Sequence, residues 1–108
     1  MEIPTPIQKQ VERKGGVQGI TELLGDENRI LKQSKIYHAL SDPLRLKILS
    51  LLAIQPLCVC LIKQLVNTPD SKLSYHLAIL KESGLIEGKQ KGNWIIYNVT
   101  KQGRKYKA

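Results

Sequence analysis

The stretch PLCVCLIKQLVNTPDSKLSYHLAILKESGLIEGKQKGNWIIY, residues 56–97, decides the fold of this 108-residue chain. Apolar residues recur at helical spacing in two short segments, Leu57–Val66 and Ser71–Glu82, which the turn sequence NTPD separates. Two strand segments follow, joined by a basic loop at 88–93. Two short helices followed by a hairpin predict a winged helix-turn-helix, a mainly α fold of the α+β class with a C-terminal β-hairpin wing.

The second predicted helix has two faces. Leu73, Leu77 and Leu80 share one face and are expected in the core, whereas small, hydrogen-bonding side chains on the other face suit the major groove of duplex DNA. For His76 the sequence leaves helix packing open beside a DNA contact, and for the hairpin loop it leaves an ordinary solvated turn. The predicted DNA contacts are Ser71, Lys72, Ser74, Tyr75, His76, Lys89, Lys91 and Asn93.

The charge of the chain is basic. There are 17 Lys and Arg against 9 Asp and Glu, and the net charge is +8. A polyanionic partner fits this charge, although ribosomal and membrane-surface proteins share it. Because no apolar run approaches ~20 residues and no secretion signal is visible, we expect a cytoplasmic protein without a membrane partner. The chain has no phosphate loop, paired carboxylates or nucleophile beside a base, so we do not expect an enzyme.

The sequence upstream of this stretch predicts the domain organisation. Asp42 can cap a core helix, and Pro43 suits the first helical position, where its missing N–H costs nothing. Residues 1–16 contain two prolines and a Gly-Gly pair, which predict a flexible arm. We expect the domain to span residues 17–100 and a basic, frayed or briefly helical tail to span residues 101–108.

Two further helices are predicted before the core helix, from Val17 to Leu24 and after Asp26. Their apolar side is wide for a small protein, and helices that flank a DNA-binding module often form a two-fold dimer. Coverage of the chain's own core is an equal alternative. The candidate homodimer contacts are Ile20, Leu23, Leu24, Ile30, Leu31 and Tyr37.

Four segments between Tyr37 and Val99 together resemble the ArsR (ArsR/SmtB) family of metal- and metalloid-responsive repressors. They are SDPLRLKIL, LCVCLIKQL, SKLSYHLAILKESGLI and KGNWIIYNV. The resemblance implies a homodimer that sits on operator DNA, needs no constitutive cofactor and leaves the DNA when an inducer binds. Because Leu-Cys-Val-Cys resembles the site of the arsenical- and antimonial-sensing branch, it implies that Cys58 and Cys60 bind As(III) or Sb(III). Lys63 stands where the three-thiol pattern has its third cysteine.

Geometry on a regular helix separates the two thiols. Residues two apart point about 200° away from each other, so we expect Cys58 in the core and Cys60 in solvent. Joint binding of one ion would then require the start of the helix to unwind, which could release the DNA. Cys58 as a small buried hydrophobe, an intersubunit disulfide switch, and a regulator without an inducer are the alternatives. The operator, the preferred metalloid and the third ligand stay open.

Overall fold

In the computed structural model, residues 2–108 form seven helices and three strands, which confirms the predicted mainly helical winged helix-turn-helix. Met1, the first residue of the predicted arm, lies outside the described part of the chain. Within residues 2–108, no helix is long and apolar enough to cross a membrane. The elements in chain order are α1 (Thr5–Arg13), α2 (Gly16–Leu24), α3 (Glu27–Leu40), α4 (Pro43–Ile54), β1 (Leu57–Cys58), α5 (Val59–Val66), α6 (Asp70–Glu82), β2 (Ile86–Lys91), β3 (Trp94–Val99) and α7 (Lys101–Arg104).

The chain divides into two compact units, and the boundary falls inside α3, between Lys32 and Gln33. The predicted arm, residues 1–16, contains a helix that the sequence pattern missed, since Thr5–Arg13 is helical. Its proline lies in the first turn, where a helix does not need the missing N–H. Gly15 and Gly16 both adopt positive φ, and the chain becomes helical again at Gly16, where α2 begins.

The second unit contains the hydrophobic core. Asp42 caps α4 as predicted, since its Oδ1 accepts a hydrogen bond of 2.8 Å from the backbone N–H of Leu44. Ile62 of α5 is fully buried, whereas Leu61 and Leu65 of the same helix are exposed. The largest fully buried side chains are Ile48, Leu49, Leu52, Ile62, Leu73, Leu80 and Leu85.

A three-stranded antiparallel sheet of order β1-β3-β2 packs beside these helices. The sequence pattern missed β1, in which Leu57 pairs with Tyr97 and Cys58 with Ile96. The predicted helical start at Leu57 is therefore wrong, because the backbone there bonds to the central strand. The predicted loop is also shorter, since β2 continues to Lys91 and leaves a two-residue turn.

The C-terminal residues 101–108 are briefly helical, which was one of the two predicted alternatives, and they are docked and not frayed. Thr100 caps α7 by accepting a 2.9 Å hydrogen bond from the N–H of Gly103, which is buried. Arg104 donates to the carbonyl of Ala53 at 3.1 Å, and Tyr106 packs against the core. These residues belong to the second compact unit, which therefore extends past residue 100 to Ala108.

Candidate DNA-binding face and thiol site

The helix-turn-helix consists of α5, a tight turn and α6. Asn67 adopts the left-handed conformation with φ 48°, which reverses the chain immediately after α5. The N-cap of α6 is Pro69, and no side chain caps the start of this helix. Asp70 instead forms an exposed ion pair of 2.7 Å with Lys63 Nζ, which joins the two helices across the turn.

The exposed face of α6 carries four of the five DNA contacts that were predicted on this helix. Leu73, Leu77 and Leu80 are buried on the other face, as their spacing predicted. Tyr75 is 61% exposed and stands free of the core. The other predicted contacts of this helix that are exposed are Ser71, Lys72 and Ser74.

His76 does not belong to this face, which corrects its prediction as a DNA contact. Its side chain is 3% exposed, and Nδ1 lies 3.0 Å from Nη1 of the buried Arg45. Because a guanidinium can only donate, His76 Nδ1 accepts, which places the ring proton on Nε2. Nε2 has no hydrogen-bond partner among the described residues. The role of this histidine is to pack α6, and burial lowers its pKa.

The wing is formed by β2 and β3. Lys89 and Lys91 lie on strand β2 close to the turn, and both are exposed. They point to the same side of the sheet because they are two residues apart. Asn93 follows Gly92 in the turn, and Trp94 is 59% exposed at the start of β3.

The two thiols meet at the junction of β1 and α5. Cys58 is extended, with φ −78° and ψ 159°, and is the N-cap residue of α5, whereas Cys60 lies in its first turn. Their sulfur atoms are 2.7 Å apart. The prediction that they point to opposite faces is wrong, because Cys58 belongs to a strand and not to the helix. No unwinding is needed to bring the thiols together.

The contact between the thiols makes them chemically different. A hydrogen bond from the Cys60 thiol lowers the pKa of Cys58, and the backbone N–H of Leu61 acts in the same direction. The same contact raises the pKa of Cys60, and desolvation of the thiol adds to that shift. Cys58 is therefore the sulfur that becomes a thiolate first and the better nucleophile.

Both thiols open into a surface cleft of about 620 Å³, which we call the wing cleft. In addition to the thiols, it is lined by residues of α6 and of the wing. Within residues 2–108, no three His, Cys, Asp or Glu side chains gather in one place, so no third side chain of these types joins the thiols. The lining residues are Cys58, Val59, Cys60, Ser74, Leu77, Ala78, Lys81, Glu82, Asn93, Trp94, Ile95 and Tyr97.

The predicted dimer contacts are all exposed. In the first unit, Leu23 is 70% exposed and Leu31 is 63% exposed, although both are large apolar side chains. Ile20, Leu24 and Ile30 are exposed as well. In the second unit, Tyr37 is exposed, and its ring lies edge-on to Tyr106 with 6.0 Å between centroids. None of these side chains is part of the chain's own buried core.

An exposed polar helix after a tight turn, beside an exposed basic hairpin, defines the winged helix-turn-helix class of DNA-binding proteins. Residues 42–88 match the sequence profile of the family described as bacterial regulatory protein, arsR family. The chain belongs to this family of transcriptional regulators.

Comparison with individual proteins supports the family and leaves the inducer unassigned. The uncharacterized HTH-type transcriptional regulator MJ1325 of Methanocaldococcus jannaschii is 39% identical over 69 residues, which cover 63% of this chain and 78% of that protein. The arsenical resistance operon repressor of Escherichia coli is 36% identical over 67 residues, 61% of this chain and 57% of the repressor. A cadmium resistance regulatory protein CadC homolog from Staphylococcus aureus is 31% identical, covering 61% of this chain and 55% of that protein. The matched region thus spans little more than half of these metal-resistance regulators.

Solved structures agree with the fold. The homodimeric winged helix-turn-helix DNA-binding domain Mb0332 of Mycobacterium bovis superposes with a TM-score of 0.69 at 25% identity, covering 73% of this chain and 74% of that domain. The transcriptional repressor BigR of Xylella fastidiosa superposes with a TM-score of 0.65 at 27% identity, covering 72% and 80%.

Proposed function

We propose that this protein is a homodimeric transcriptional repressor that releases its operator when As(III) or Sb(III) binds Cys58 and Cys60. The observation that carries the proposal is the 2.7 Å separation of the two sulfurs, in a cleft that α6 and the wing also line. Trivalent arsenic and antimony are thiophilic, and a thiol pair is a ligand set that suits them.

The chemistry begins at Cys58, whose thiolate is favoured by its hydrogen bond from Cys60. Each thiol that binds As(OH)₃ forms one S–As bond, breaks one As–O bond and releases one water molecule. Two thiols leave one hydroxide on the metalloid. That position is open to solvent, to an exogenous thiol or to a residue of a second subunit.

Binding at this position acts on both DNA-reading elements. A metalloid atom bonded to both sulfurs replaces their hydrogen bond and displaces them from their positions in the free protein. Cys58 is paired with Ile96 of β3, so the displacement reaches the wing. Cys60 lies in α5, which is joined to α6 by the turn at Asn67 and by the Lys63–Asp70 ion pair. A shift of α6 or of the wing changes the spacing between them, so the affinity for DNA falls.

An arsenite titration of the reduced protein tests this proposal directly. A fluorescent duplex is first selected from a random library by repeated binding to the protein. Fluorescence anisotropy then follows the bound duplex, and we expect arsenite to release it. The double variant Cys58→Ser/Cys60→Ser should bind the duplex equally well and keep it at every arsenite concentration. Retention of the duplex by the wild type at saturating arsenite and antimonite would refute the proposed inducer.

A thiol redox input is the second candidate, and the same 2.7 Å separation favours it. Because the sulfurs meet within one chain, a bond between Cys58 and Cys60 replaces the intersubunit disulfide that the sequence suggested. Its formation removes two protons and two electrons, which a peroxide accepts on conversion to two water molecules. Release of DNA by peroxide, without release by arsenite under reducing conditions, would support this candidate over metalloid sensing.

The proposed dimer uses the exposed apolar side chains of α2 and α3. Leu23→Lys with Leu31→Lys places two charges on this surface without touching the buried core, so the helical content should stay unchanged. Sedimentation velocity should show a dimer for the wild type and a monomer for the variant. A variant that stays dimeric would place the subunit contact elsewhere.

A further inference from the structure

We propose that the wing cleft is the place where a DNA backbone strand lies, so that DNA and any ligand on the thiols exclude each other by occupancy. This inference rests on the DNA-binding role in the proposed function and adds to it a direct competition. It concerns the ligand-free protein as much as the induced one.

The wing cleft lies between the two elements that are expected to contact DNA. One wall is α6, with Ser74 on the helix face that is expected to enter the major groove. The opposite wall is the wing, with Asn93 and Trp94 at and beside its turn. A helix in the major groove and a hairpin reaching the adjacent minor groove are separated by one sugar-phosphate strand. That strand must pass over the space between them, which is the wing cleft.

The polar lining of the cleft fits a phosphate strand. Ser74 offers a hydroxyl, Asn93 an amide and Lys81 an ammonium group, all of which can donate to phosphate oxygens. Glu82 is the single carboxylate among the lining residues, and it follows Lys81 at the end of α6. Three donors against one carboxylate favour a polyanion in this cleft.

The thiols line the same cleft, so a bound DNA strand changes their accessibility. It blocks the approach of a reagent to Cys60, which is exposed in the free protein. This shielding slows alkylation of the pair and does not require a metalloid.

Alkylation of reduced, metalloid-free protein tests this inference. Iodoacetamide transfers its carboxamidomethyl group to the thiolate with release of iodide, and mass spectrometry follows the rate with and without saturating selected duplex. We expect the duplex to slow alkylation about tenfold or more. The matched control is Gln102→Cys in the Cys58→Ser/Cys60→Ser background, because residue 102 is exposed on α7 and does not line the cleft. Its alkylation rate should not change when DNA binds.

The reciprocal measurement is the DNA affinity of the alkylated protein. Carboxamidomethyl groups on the thiols occupy part of the cleft, so the affinity should fall about tenfold or more. Alkylation of the Gln102→Cys control should leave the affinity of that variant unchanged. Equal alkylation rates with and without DNA, or full affinity of the alkylated protein, would overturn the shared cleft. Either result would leave arsenite-induced release standing, so the two proposals can fail separately.

Discussion

Nη1 of Arg45 in α4 lies 3.0 Å from Nδ1 of His76 in α6, and both side chains are buried. The Nε–H of Arg45 also donates to the carbonyl of Ala39 in α3. One guanidinium therefore connects three helices, one of which carries the predicted DNA contacts. Its charge is partly balanced by Asp42, whose Oδ2 is 4.0 Å away.

The histidine of this junction should make stability depend on pH. Burial lowers the pKa of His76 below its ordinary value of 6.5. The charge of Asp42 opposes this shift, and that of Arg45 adds to it. The unfolded chain therefore binds more protons than the folded chain between the two pKa values. The free energy of unfolding should be constant above about pH 7.5 and should fall as the pH drops through 6.5 towards the folded pKa.

Urea denaturation between about pH 7.5 and pH 5.5 checks this dependence. His76→Gln should remove most of the slope, because glutamine can accept from Arg45 and does not titrate. The exposed His38 provides the control, and His38→Gln should keep the wild-type slope. An unchanged slope in His76→Gln would assign the pH dependence to other groups.

Removal of the guanidinium should destabilise the second unit. Arg45→Met preserves a long side chain but leaves the Ala39 carbonyl and His76 Nδ1 without their donor. Each stranded acceptor costs about 1–3 kcal/mol in the free energy of unfolding. Arg104→Met is the matched control, because Arg104 also donates to a carbonyl but is exposed, and its loss should cost about 0.5 kcal/mol or less. Equal losses in the two variants would contradict the assigned role of Arg45.

The wing lysines should supply salt-dependent DNA affinity. If Lys89 and Lys91 each neutralise one phosphate, Lys89→Ala with Lys91→Ala should reduce the slope of log affinity against log salt by about 2. Lys47→Ala removes an exposed charge from α4 and should leave the slope unchanged. Anisotropy titrations at several salt concentrations give the slopes. A wild-type slope in the double variant would mean that Lys89 and Lys91 do not contact phosphates.

Substitution of Lys63 by cysteine should strengthen the proposed metalloid site. Lys63 lies three residues after Cys60 on α5, on the same side of that helix. Lys63→Cys adds a third thiol there, and we expect the arsenite affinity of the reduced protein to rise about tenfold or more. The change also removes the exposed ion pair with Asp70, which contributes about 0–1 kcal/mol to stability.

Lys63→Met separates these two effects, because it removes the same ion pair without adding a thiol. Arsenite binding can be followed by competition with a dithiol of known affinity. If Lys63→Cys and Lys63→Met bound arsenite equally, residue 63 would lie out of reach of the metalloid.

The docked C-terminus should be sensitive to one methyl group. A Cβ on Gly103 would overlap the backbone carbonyl of Leu85, so Gly103→Ala forces α7 away from the sheet. We expect a loss of about 1–3 kcal/mol in the free energy of unfolding. Lys101→Ala, at an exposed position of the same helix, should change stability by about 0.5 kcal/mol or less. Thermal and urea denaturation of both variants tests the difference.

Local patterns determined much of this fold. The Asp42-Pro43 start of α4, the buried leucines of α6 and the β3 strand from Trp94 to Val99 all follow from residues that interact within a few positions. Capping, helical periodicity and strand alternation are short-range effects, and one sequence is enough to predict them. The same patterns placed Ser71, Lys72, Ser74 and Tyr75 correctly on an exposed face.

Tertiary structure alone decided the geometry of the thiols, the burial of His76 and the docking of residues 101–108. Cys58 is extended because it pairs with Ile96, which lies far along the chain and leaves no local pattern around the cysteines. His76 is buried because Arg45 approaches it from another helix. These contacts depend on which segments meet after folding, and the residues on either side of Cys58 or His76 do not encode that choice.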